Sequence, residues 1–435
     1  MHLILRILPA ALLSLFANSA PAVPAAAGAD WPTYQGSNAR SGVVAGAPAF
    51  SGFRRRFSRN VDGEVYAQPL IVRGVIYVAT ENNSVYAFRT NGQPLFQRHF
   101  GQPVPGGDLP CGNIDPSGIT GTPAISGNRL YVVAYLAGGH QHVLYALDRR
   151  TGRVLMHQRV DAPNPLVQQE RGALLVDHGR VYVPYGGLDG DCGPYHGYVV
   201  SVPTGGGRLG SYANPSAEAG IWAPGGISEG PSGSLLVATG NGAGGGSSQF
   251  LYANSVLRLS ATLTRQGFWA PRDWLDLSGS DTDLGSVAPL PLPGGRVFQS
   301  GKDGNGYLLS PGLGGIGGEL HRAGICGSAF GALAVSPPFV LVPCTDSLVA
   351  LRLNGNSFSV AWKAGGGANA PLIAHGTVID TDKSSGRLRA LRLSDGRPLA
   401  TSDLNKPANS FPSGAASGGL LVEPSGSSIT AFGGL

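Results

Sequence analysis

Hydrophobic and polar positions alternate along much of this 435-residue chain, and the alternation recurs in a repeated sequence unit. The clearest copies begin at Gln68, Gly121 and Ala370 and read QPLIVRGVIYVATENNSVYAFRTNGQPLF, GTPAISGNRLYVVAYLAGGHQHVLYALDRRTGRVL and APLIAHGTVIDTDKSSGRLRALRLSDGRPLA. Each copy has an apolar residue after a proline, a glycine turn, an apolar triplet, a polar loop, an alternating segment, another turn and a last segment. Alternation with a period of two is typical of β-strands, so each copy predicts four short strands.

The spacing of the turns predicts eight such units. They recur at Gly74, Gly127, Gly179, Gly233, Gly295, Pro338, Gly376 and Gly418. A four-stranded unit cannot bury both of its faces alone, so neighbouring copies must pack against each other. We therefore predict an all-β fold, an eight-bladed β-propeller of four-stranded antiparallel blades, with its ligand site where the blades converge.

The last unit lacks an outer strand, because the sequence ends shortly after Ile429–Phe432. The segment Phe53–Val61, which reads FRRRFSRNV, precedes the first full unit and has no other place in the repeat. We expect this N-terminal strand to complete the last blade and close the ring, which would remove an exposed sheet edge. Residues 30–435 are predicted to form one domain.

The first 29 residues have the features of a secretory signal peptide. Arg6 precedes an apolar run from Ile7 to Phe16, and small residues lead to a predicted cleavage after Ala29, with Ala20 as the alternative site. No later stretch approaches the roughly 20 apolar residues that span a bilayer. We expect an exported chain without an integral membrane segment, in the periplasm or the extracellular medium.

Four cysteines in an exported chain predict two disulfides, with three possible pairings. We favour Cys326 with Cys344, which lie in one repeat, and Cys111 with Cys192, which both lie in polar loops rich in Gly and Asp. A metal site built on these thiols is disfavoured, because the sequence has no C-x-x-C spacing.

Composition argues against a disordered chain and against a nucleic-acid-binding protein. The chain has 68 Gly and 33 Pro, but 42% of its residues are hydrophobic and alternate regularly, which argues against disorder. The net charge is +5 and the one dense basic run is Arg54–Arg56, which lacks the interleaved aromatics of a nucleic-acid-binding face.

Four segments resemble the pyrroloquinoline-quinone (PQQ) type propellers, the quinoprotein alcohol dehydrogenases and their PQQ-like relatives. They read DWPTYQGSNARSG, CGNIDPSGITGTP, VLYALDRRTG and GKDGNGYLL. The resemblance extends over essentially the whole chain after the signal peptide. It implies an eight-bladed propeller and, for the dehydrogenases, a site for PQQ and Ca²⁺.

The resemblance also implies roles for individual residues. Trp222 in GIWAPGG matches the residue that stacks beneath the quinone, and Asn241 in ATGNG matches a Ca²⁺ ligand. Asp283 in LSGSDTDLGS is the best match for the general base, which also contacts Ca²⁺, and Asp281 is the second match. Lys302 in GKDGNGYLL matches a basic residue that contacts the quinone oxygens. These side chains also have plain structural interpretations, as blade packing or turn residues.

The chain departs from the enzyme pattern in three places. The adjacent cysteine pair of the methanol-type enzymes is reduced to Cys111, which follows Pro110. The glutamate that binds Ca²⁺ aligns with Cys192, so Asp189 or Asp191 would have to replace it. No C-x-x-C-H motif indicates a fused haem domain.

The sequence is therefore compatible with two functions. The first is a PQQ- and Ca²⁺-dependent dehydrogenase that oxidises an alcohol or sugar hydroxyl. The second is a non-catalytic propeller scaffold that binds a protein, peptide or glycan on its loop face. A disulfide at Cys192 beside the central channel would favour binding, because a disulfide sulfur is not a ligand for Ca²⁺.

Overall fold

The computed structural model describes residues 29–242, 249–404, 406, 409 and 411–435. Its strands form eight sheets. The first strand, β1 (Arg54–Asn60), belongs to the eighth sheet and precedes the other strands of the propeller. The predicted signal peptide, residues 1–29, lies outside the described residues except for Ala29.

The strands of the first four blades follow in chain order. Blade 1 contains β2 (Leu70–Val72), β3 (Val75–Thr80), β4 (Ser84–Arg89) and β5 (Pro94–His99). Blade 2 contains β6 (Ala124–Ser126), β7 (Arg129–Leu136), β8 (Gln141–Asp148) and β9 (Val154–Arg159). Blade 3 contains β10 (Gln168–Gln169), β11 (Leu175–Asp177), β12 (Arg180–Gly187), β13 (His196–Pro203) and β14 (Gly210–Ala217). Blade 4 contains β15 (Ser228–Glu229), β16 (Leu235–Ala238), β17 (Val256–Leu259) and β18 (Arg265–Ala270).

The second half of the ring repeats the arrangement. A short helix, α1 (Trp274–Gly279), precedes blade 5, which contains β19 (Leu290–Pro291), β20 (Val297–Ser300), β21 (Asn305–Leu309) and, after β22 (Gly315–Ile316), β23 (Glu319–Gly324). Blade 6 contains β24 (Ala334–Ser336), β25 (Phe339–Pro343), β26 (Ser347–Asn354) and β27 (Ser357–Gly365). Blade 7 contains β28 (Leu372–Ala374), β29 (Thr377–Asp382), β30 (Arg387–Arg392) and β31 (Pro398–Asp403). Blade 8 contains β32 (Ala415–Ser417), β33 (Leu420–Ser425) and β34 (Ser428–Gly433) together with β1.

The predicted eight-bladed propeller of four-stranded antiparallel blades is confirmed, with two small additions. In blade 3 both β10 and β11 pair with β12, and in blade 4 the short β22 adds to β18 in parallel. In blade 8, β1 pairs antiparallel with β34, from Arg54 opposite Gly433 to Asn60 opposite Ser428. That blade therefore contains strands from both ends of the described chain.

The core lies between neighbouring blades. Inner strands such as β7 and β12 are buried on both faces, because each blade is covered by the blade on either side. Outermost strands such as β9 and β23 alternate between partly buried and exposed positions. The tight turn between the first two strands of blade 1 has Gly74 at φ +72°, a conformation that side chains with a Cβ rarely adopt.

An N-terminal segment, residues 31–44, lies across the inner ends of six blades. The Gln35 side chain donates to the carbonyl oxygens of Leu333 and Pro371, and the Trp31 indole donates to Gln68. The Ile125 N–H in blade 2 donates to the carbonyl oxygen of Pro32. The Arg40 guanidinium donates to the carbonyl oxygens of Leu174, just before β11 of blade 3, and of Ile227, just before blade 4. This segment therefore ties together strands that are far apart in the sequence.

Both favoured disulfides, Cys111–Cys192 and Cys326–Cys344, are present. No helix in the part of the chain that the structure describes has the length and apolar character needed to cross a membrane.

Candidate functional site

The sequence-predicted site residues lie around one cleft with a volume of about 470 Å³. Trp222 lies in the loop that enters blade 4, and Asn241 follows β16 closely. Asp281 and Asp283 lie between α1 and a short 3-10 helix (Leu284–Ser286), and Lys302 follows β20. Turns at the ends of inner strands in blades 4 and 5 thus bring together five residues that are dispersed in the sequence. The full lining is Asn113, Arg171, Gly187, Leu188, Asp189, Gly190, Asp191, Tyr195, Trp222, Asn241, Asp281, Asp283, Lys302, Phe330 and Phe411.

Asp283 is the buried acid of this cleft, with only 4% of its surface exposed. Its Oδ1 accepts a hydrogen bond of 2.8 Å from the backbone N–H of Asn241, and its Oδ2 lies 2.6 Å from Lys302 Nζ. The side-chain amide nitrogen of Asn241, in the orientation that satisfies its hydrogen bonds, donates to Oδ2 over 3.2 Å. A Cβ at Gly240 would collide with Asp283 Oδ1, so this close approach requires glycine.

Burial and charge act on Asp283 in opposite directions. Burial raises the pKa of its carboxyl group, while Lys302 and the Asn241 N–H lower it, and the net effect is a raised pKa. For Lys302, burial lowers the pKa but the carboxylates of Asp283 and Asp281 outweigh it, so the pKa is raised. Lys302 therefore stays protonated beside a carboxylate that accepts a proton more readily than an exposed one.

Lys302 connects the two acids. Its ammonium nitrogen lies 3.2 Å from Oδ1 of Asp281 as well as 2.6 Å from Oδ2 of Asp283. The Asp281 side chain is largely exposed, whereas that of Asp283 is buried, so the two acids with similar sequence positions differ sharply in environment. Only Asp283 combines burial with direct access to the cleft.

The Trp222 ring is flanked by two cations. The Arg171 guanidinium carbon lies 5.1 Å from its ring centroid, and Lys302 Nζ lies 5.7 Å away. The Phe330 ring centroid lies 6.4 Å from that of Trp222 on the cleft wall. An aromatic face with two nearby cations is suited to a planar ligand that carries negative charge. Arg171 was not predicted, because ERGALLV resembles the start of any other blade.

Asp189 and Asp191, which were predicted to replace the missing glutamate, are not placed to bind a buried cation: Asp191 has another partner and Asp189 is exposed. Cys192 is bonded to Cys111, and Asp191 Oδ1 accepts a 2.6 Å hydrogen bond from the Tyr195 hydroxyl. Asp189 lies exposed at the edge of the cleft. Across the described residues, the one set of three close metal-ligand types is Cys326, Cys344 and Asp346, and both of those cysteines form a disulfide. Among the residues that the structure describes, the cleft therefore has no group of three acidic side chains close enough together to bind one cation.

The Cys111–Cys192 disulfide forms part of the cleft wall. It joins the loop between β5 and β6 to the loop between β12 and β13, and it packs with Leu109, Tyr135 and Leu188. Leu188 and Asp189 line the cleft, so the disulfide restrains the loop that forms this part of the cleft wall.

A larger groove, about 570 Å³, lies elsewhere, where β1 and blade 8 meet blade 1. Its charged lining residues include Arg56, Arg73 and Asp30, and Asp30 Oδ1 accepts a hydrogen bond from the Arg73 backbone N–H. It contains none of the predicted site residues.

Sequence and structure comparisons agree on the fold. Residues 54–213 match the family model described as outer membrane protein assembly factor BamB. No curated protein matches the chain.

Three solved structures illustrate the range of similar proteins. Quinohemoprotein alcohol dehydrogenase ADHIIG from Pseudomonas putida HK5 is 14% identical with a TM-score of 0.70, covering 93% of this chain and 80% of its own. A europium-containing methanol dehydrogenase is 13% identical with a TM-score of 0.70, covering 92% and 90%. BamB from Moraxella catarrhalis is 14% identical with a TM-score of 0.59, covering 88% and 98%. At these identities the likeness establishes the fold, and both dehydrogenases and BamB share it.

Proposed function

We propose that the cleft of this eight-bladed β-propeller, whose fold is shared with quinoprotein alcohol dehydrogenases, is a quinoprotein-type site that oxidises an alcohol or sugar hydroxyl. One observation carries the proposal. Trp222, Asp283 and Lys302 come from three separate segments, yet an aromatic platform, a buried carboxylate and a cation line the same cleft. Oxidation of a hydroxyl by a quinone needs these three kinds of group.

The residues present fit the quinone. PQQ is planar and anionic, and the Trp222 ring with Arg171 and Lys302 beside it provides a face and two positive charges for such a molecule. When bound, PQQ would supply the oxidising power by accepting hydride equivalents, that is two electrons and one proton, from the alcohol carbon.

Asp283 would act as the general base that takes the proton from the substrate hydroxyl. Its burial favours that role, because a carboxyl group with a raised pKa binds the proton more strongly than an exposed one. Lys302 Nζ, 2.6 Å from Oδ2, would keep Asp283 ionised before the reaction. Lys302 and Arg171 together would stabilise negative charge that develops above Trp222.

The residues fit Ca²⁺ less well than they fit the quinone. Asn241 and Asp283 could provide oxygen ligands, but Lys302 already neutralises Asp283, and the position aligned with the family glutamate is the disulfide-bonded Cys192. Asn241 and Asp283 are the residues that would hold a cation, but because this set of ligands is incomplete we derive no chemical step through it.

A titration of the purified chain with PQQ, with and without Ca²⁺, tests this proposal. Trp fluorescence and quinone absorbance would report saturable binding, and Trp222→Ala should abolish most of it. Binding would then justify an assay of alcohols and sugars with an artificial electron acceptor. Absence of binding at micromolar PQQ, in a chain that keeps its β-sheet circular dichroism, would reject the quinoprotein proposal.

One observation favours a second candidate function, a non-catalytic scaffold that binds a protein, peptide or glycan. Cys192, at the position of the missing metal ligand, forms a disulfide in the wall of the cleft. If PQQ does not bind, the loop face around this disulfide is the surface to probe by cross-linking to exported proteins of the source cell.

We also propose that residues 30–435 form the exported domain, in the periplasm or the extracellular medium. Mass spectrometry of the chain recovered from those fractions should give a mature N-terminus at Asp30. A chain that retains Met1 there would contradict the proposed cleavage.

A further inference from the structure

A second, smaller cavity adjoins the cleft. This inner chamber has a volume of about 120 Å³, and it shares Asn113, Arg171 and Phe411 with the cleft. Its remaining lining residues are aromatic, aliphatic or hydroxylated: Tyr34, Tyr66, Ile114, Thr120, Thr122 and Pro224. Cavities of about 150 Å³ hold a benzene ring in other proteins, so the chamber is close to the size of one small aromatic ring.

Arg171, at the boundary between the two cavities, has fewer partners than its charge requires. One of its η nitrogens donates to the Gly187 carbonyl oxygen over 3.1 Å, while its Nε is buried without a hydrogen-bond partner. No described carboxylate forms an ion pair with it. Burial lowers its pKa, against the attraction of Asp189 and other acids in and around the cleft.

Arg40 provides an internal comparison. It is buried and forms no ion pair with an acid in the described chain, but it donates to Thr33 Oγ1 and to the carbonyl oxygens of Tyr34, Leu174 and Ile227. Its guanidinium is thus satisfied by the fold. The Arg171 side chain is only partly buried, but its Nε atom is buried without a partner, and such a donor costs free energy unless an acceptor binds to it.

The nearby acids do not supply that anion. Asp283 is paired with Lys302, and Asp191 accepts from Tyr195. Glu170 and Glu81, beside Thr120 and Gly121, are buried, and burial raises the pKa of both, to about 7 for Glu81. Burial therefore favours the neutral form of both carboxyl groups, and neither forms an ion pair with Arg171 in the described part of the chain.

We propose that the inner chamber binds a small aromatic carboxylic acid, with its carboxylate on Arg171 and its ring against Tyr66, Ile114 and Pro224. A guanidinium presents paired N–H donors that match a carboxylate, so Arg171, between the cleft and the inner chamber, is suited to bind one. The aromatic ring of such a ligand would fit the volume of the chamber and its largely apolar walls. This site adjoins the Trp222 face and shares Arg171 with it, so benzoate and PQQ would compete for that guanidinium, but benzoate binding does not require that PQQ binds.

Isothermal titration of the full mature chain with benzoate, and with benzyl alcohol as the neutral probe of equal size, tests the proposal. Benzoate should bind, benzyl alcohol should bind at least 10-fold more weakly, and Arg171→Met should weaken benzoate at least 10-fold. Arg150→Met, which removes an exposed arginine from a surface turn, is the matched control and should leave benzoate binding unchanged. Ile114→Trp should abolish binding by filling the chamber while the Arg171 charge remains.

Three results would overturn the site. They are no benzoate binding to the unaltered chain, equal binding of benzoate and benzyl alcohol, or full benzoate affinity in both Arg171→Met and Ile114→Trp. If Arg171→Met fails to fold, Ile114→Trp decides the question alone. Since PQQ is titrated separately, a chain that binds benzoate but not PQQ supports the chamber and rejects only the quinone site.

Discussion

Lys302 Nζ lies 2.6 Å from Oδ2 of Asp283, a carboxylate with 4% of its surface exposed. Without this ammonium group, only the hydrogen bond from the Asn241 N–H would oppose burial and the charge of Asp281, so the protonated form of Asp283 would be favoured. The pair thus sets the protonation state of the acid that we propose as the base, and it makes that state dependent on one side chain.

Replacing Lys302 by Met should therefore change the pH dependence of activity. The pKa of Asp283 would rise further, because burial and the charge of Asp281 would be opposed only by the hydrogen bond from the Asn241 N–H. The acidic limb of the kcat/KM profile, measured with PQQ and an alcohol, should therefore move to higher pH. Asp281→Asn removes an acid whose charge raises that pKa, so it should move the limb slightly to lower pH. An unchanged acidic limb in Lys302→Met would show that Asp283 does not titrate in catalysis.

Asp283→Ala should abolish turnover while the fold is preserved. Loss of a general base typically lowers kcat by about 10²–10⁴-fold. The measurement is alcohol oxidation by the PQQ-loaded chain, with circular dichroism to check the fold. Asp281→Ala is the paired control and should retain most activity, because the Asp281 side chain is largely exposed. Retained activity in Asp283→Ala would contradict its assignment.

Trp222→Ala should weaken PQQ binding by about 10-fold or more. The substitution removes a stacking face worth about 0.5–1.5 kcal/mol beyond its buried area, and it also removes the aromatic partner of Arg171 and Lys302. Quinone absorbance gives the Kd directly. Trp274→Phe, in α1 and outside the cleft lining, is the control that should keep wild-type affinity.

The two disulfides should contribute differently to stability and to the site. Cys111 and Cys192 are 81 positions apart, whereas Cys326 and Cys344 are 18 apart, so the first closes the longer loop. Double Cys→Ala variants should lose about 4 and about 3 kcal/mol respectively in guanidinium unfolding. PQQ affinity should fall only in the first variant, because that bond holds the cleft wall. Equal affinity in both variants would argue against a positioning role for Cys111–Cys192.

Two buried acids, Glu81 and Glu423, should make the free energy of unfolding decrease as the pH rises from about 5 to about 8. Burial raises the pKa of Glu81 from 4.5 to about 7 and that of Glu423 from 4.5 to about 8. The stabilisation is fully present below pH 4.5 and is lost as the pH rises through these folded-state values. Glu81→Gln should reduce the fall in Tm between pH 5 and 8. The exposed Asp108→Asn should not, and an identical fall in Glu81→Gln would exclude this acid as the cause.

The blades could be predicted because their signals are local. A glycine turn such as Gly74, and strands that alternate over a few residues, are visible in any short stretch of sequence. The pairing of the cysteines followed from which of them lie in the same repeat or in similar loops, and it is confirmed. The site residues were taken from the family resemblance, and their proposed roles remain predictions.

Other features depend on contacts that no short stretch of sequence reveals. The segment at residues 31–44 contains the DWPTYQGSNARSG motif, but nothing in that motif indicates that its hydrogen bonds reach six blades. Arg171 could not be identified for a related reason, since its importance comes from what surrounds it: the Trp222 ring on one side and the inner chamber on the other. The ion pair of Lys302 with Asp283 likewise joins two different loops.

The pairing of β1 with β34 has a consequence for how the chain folds. The strands of the other seven blades lie between β1 and β34 in the sequence, so blade 8 can be completed only after those strands have been synthesised. Loop-closure entropy opposes such a distant contact, whereas blades built from adjacent strands can form early. Folding of this ring is therefore expected to end with a slow joining of its two ends. A chain that lacks β1 should stay open along the β34 edge, prone to aggregation.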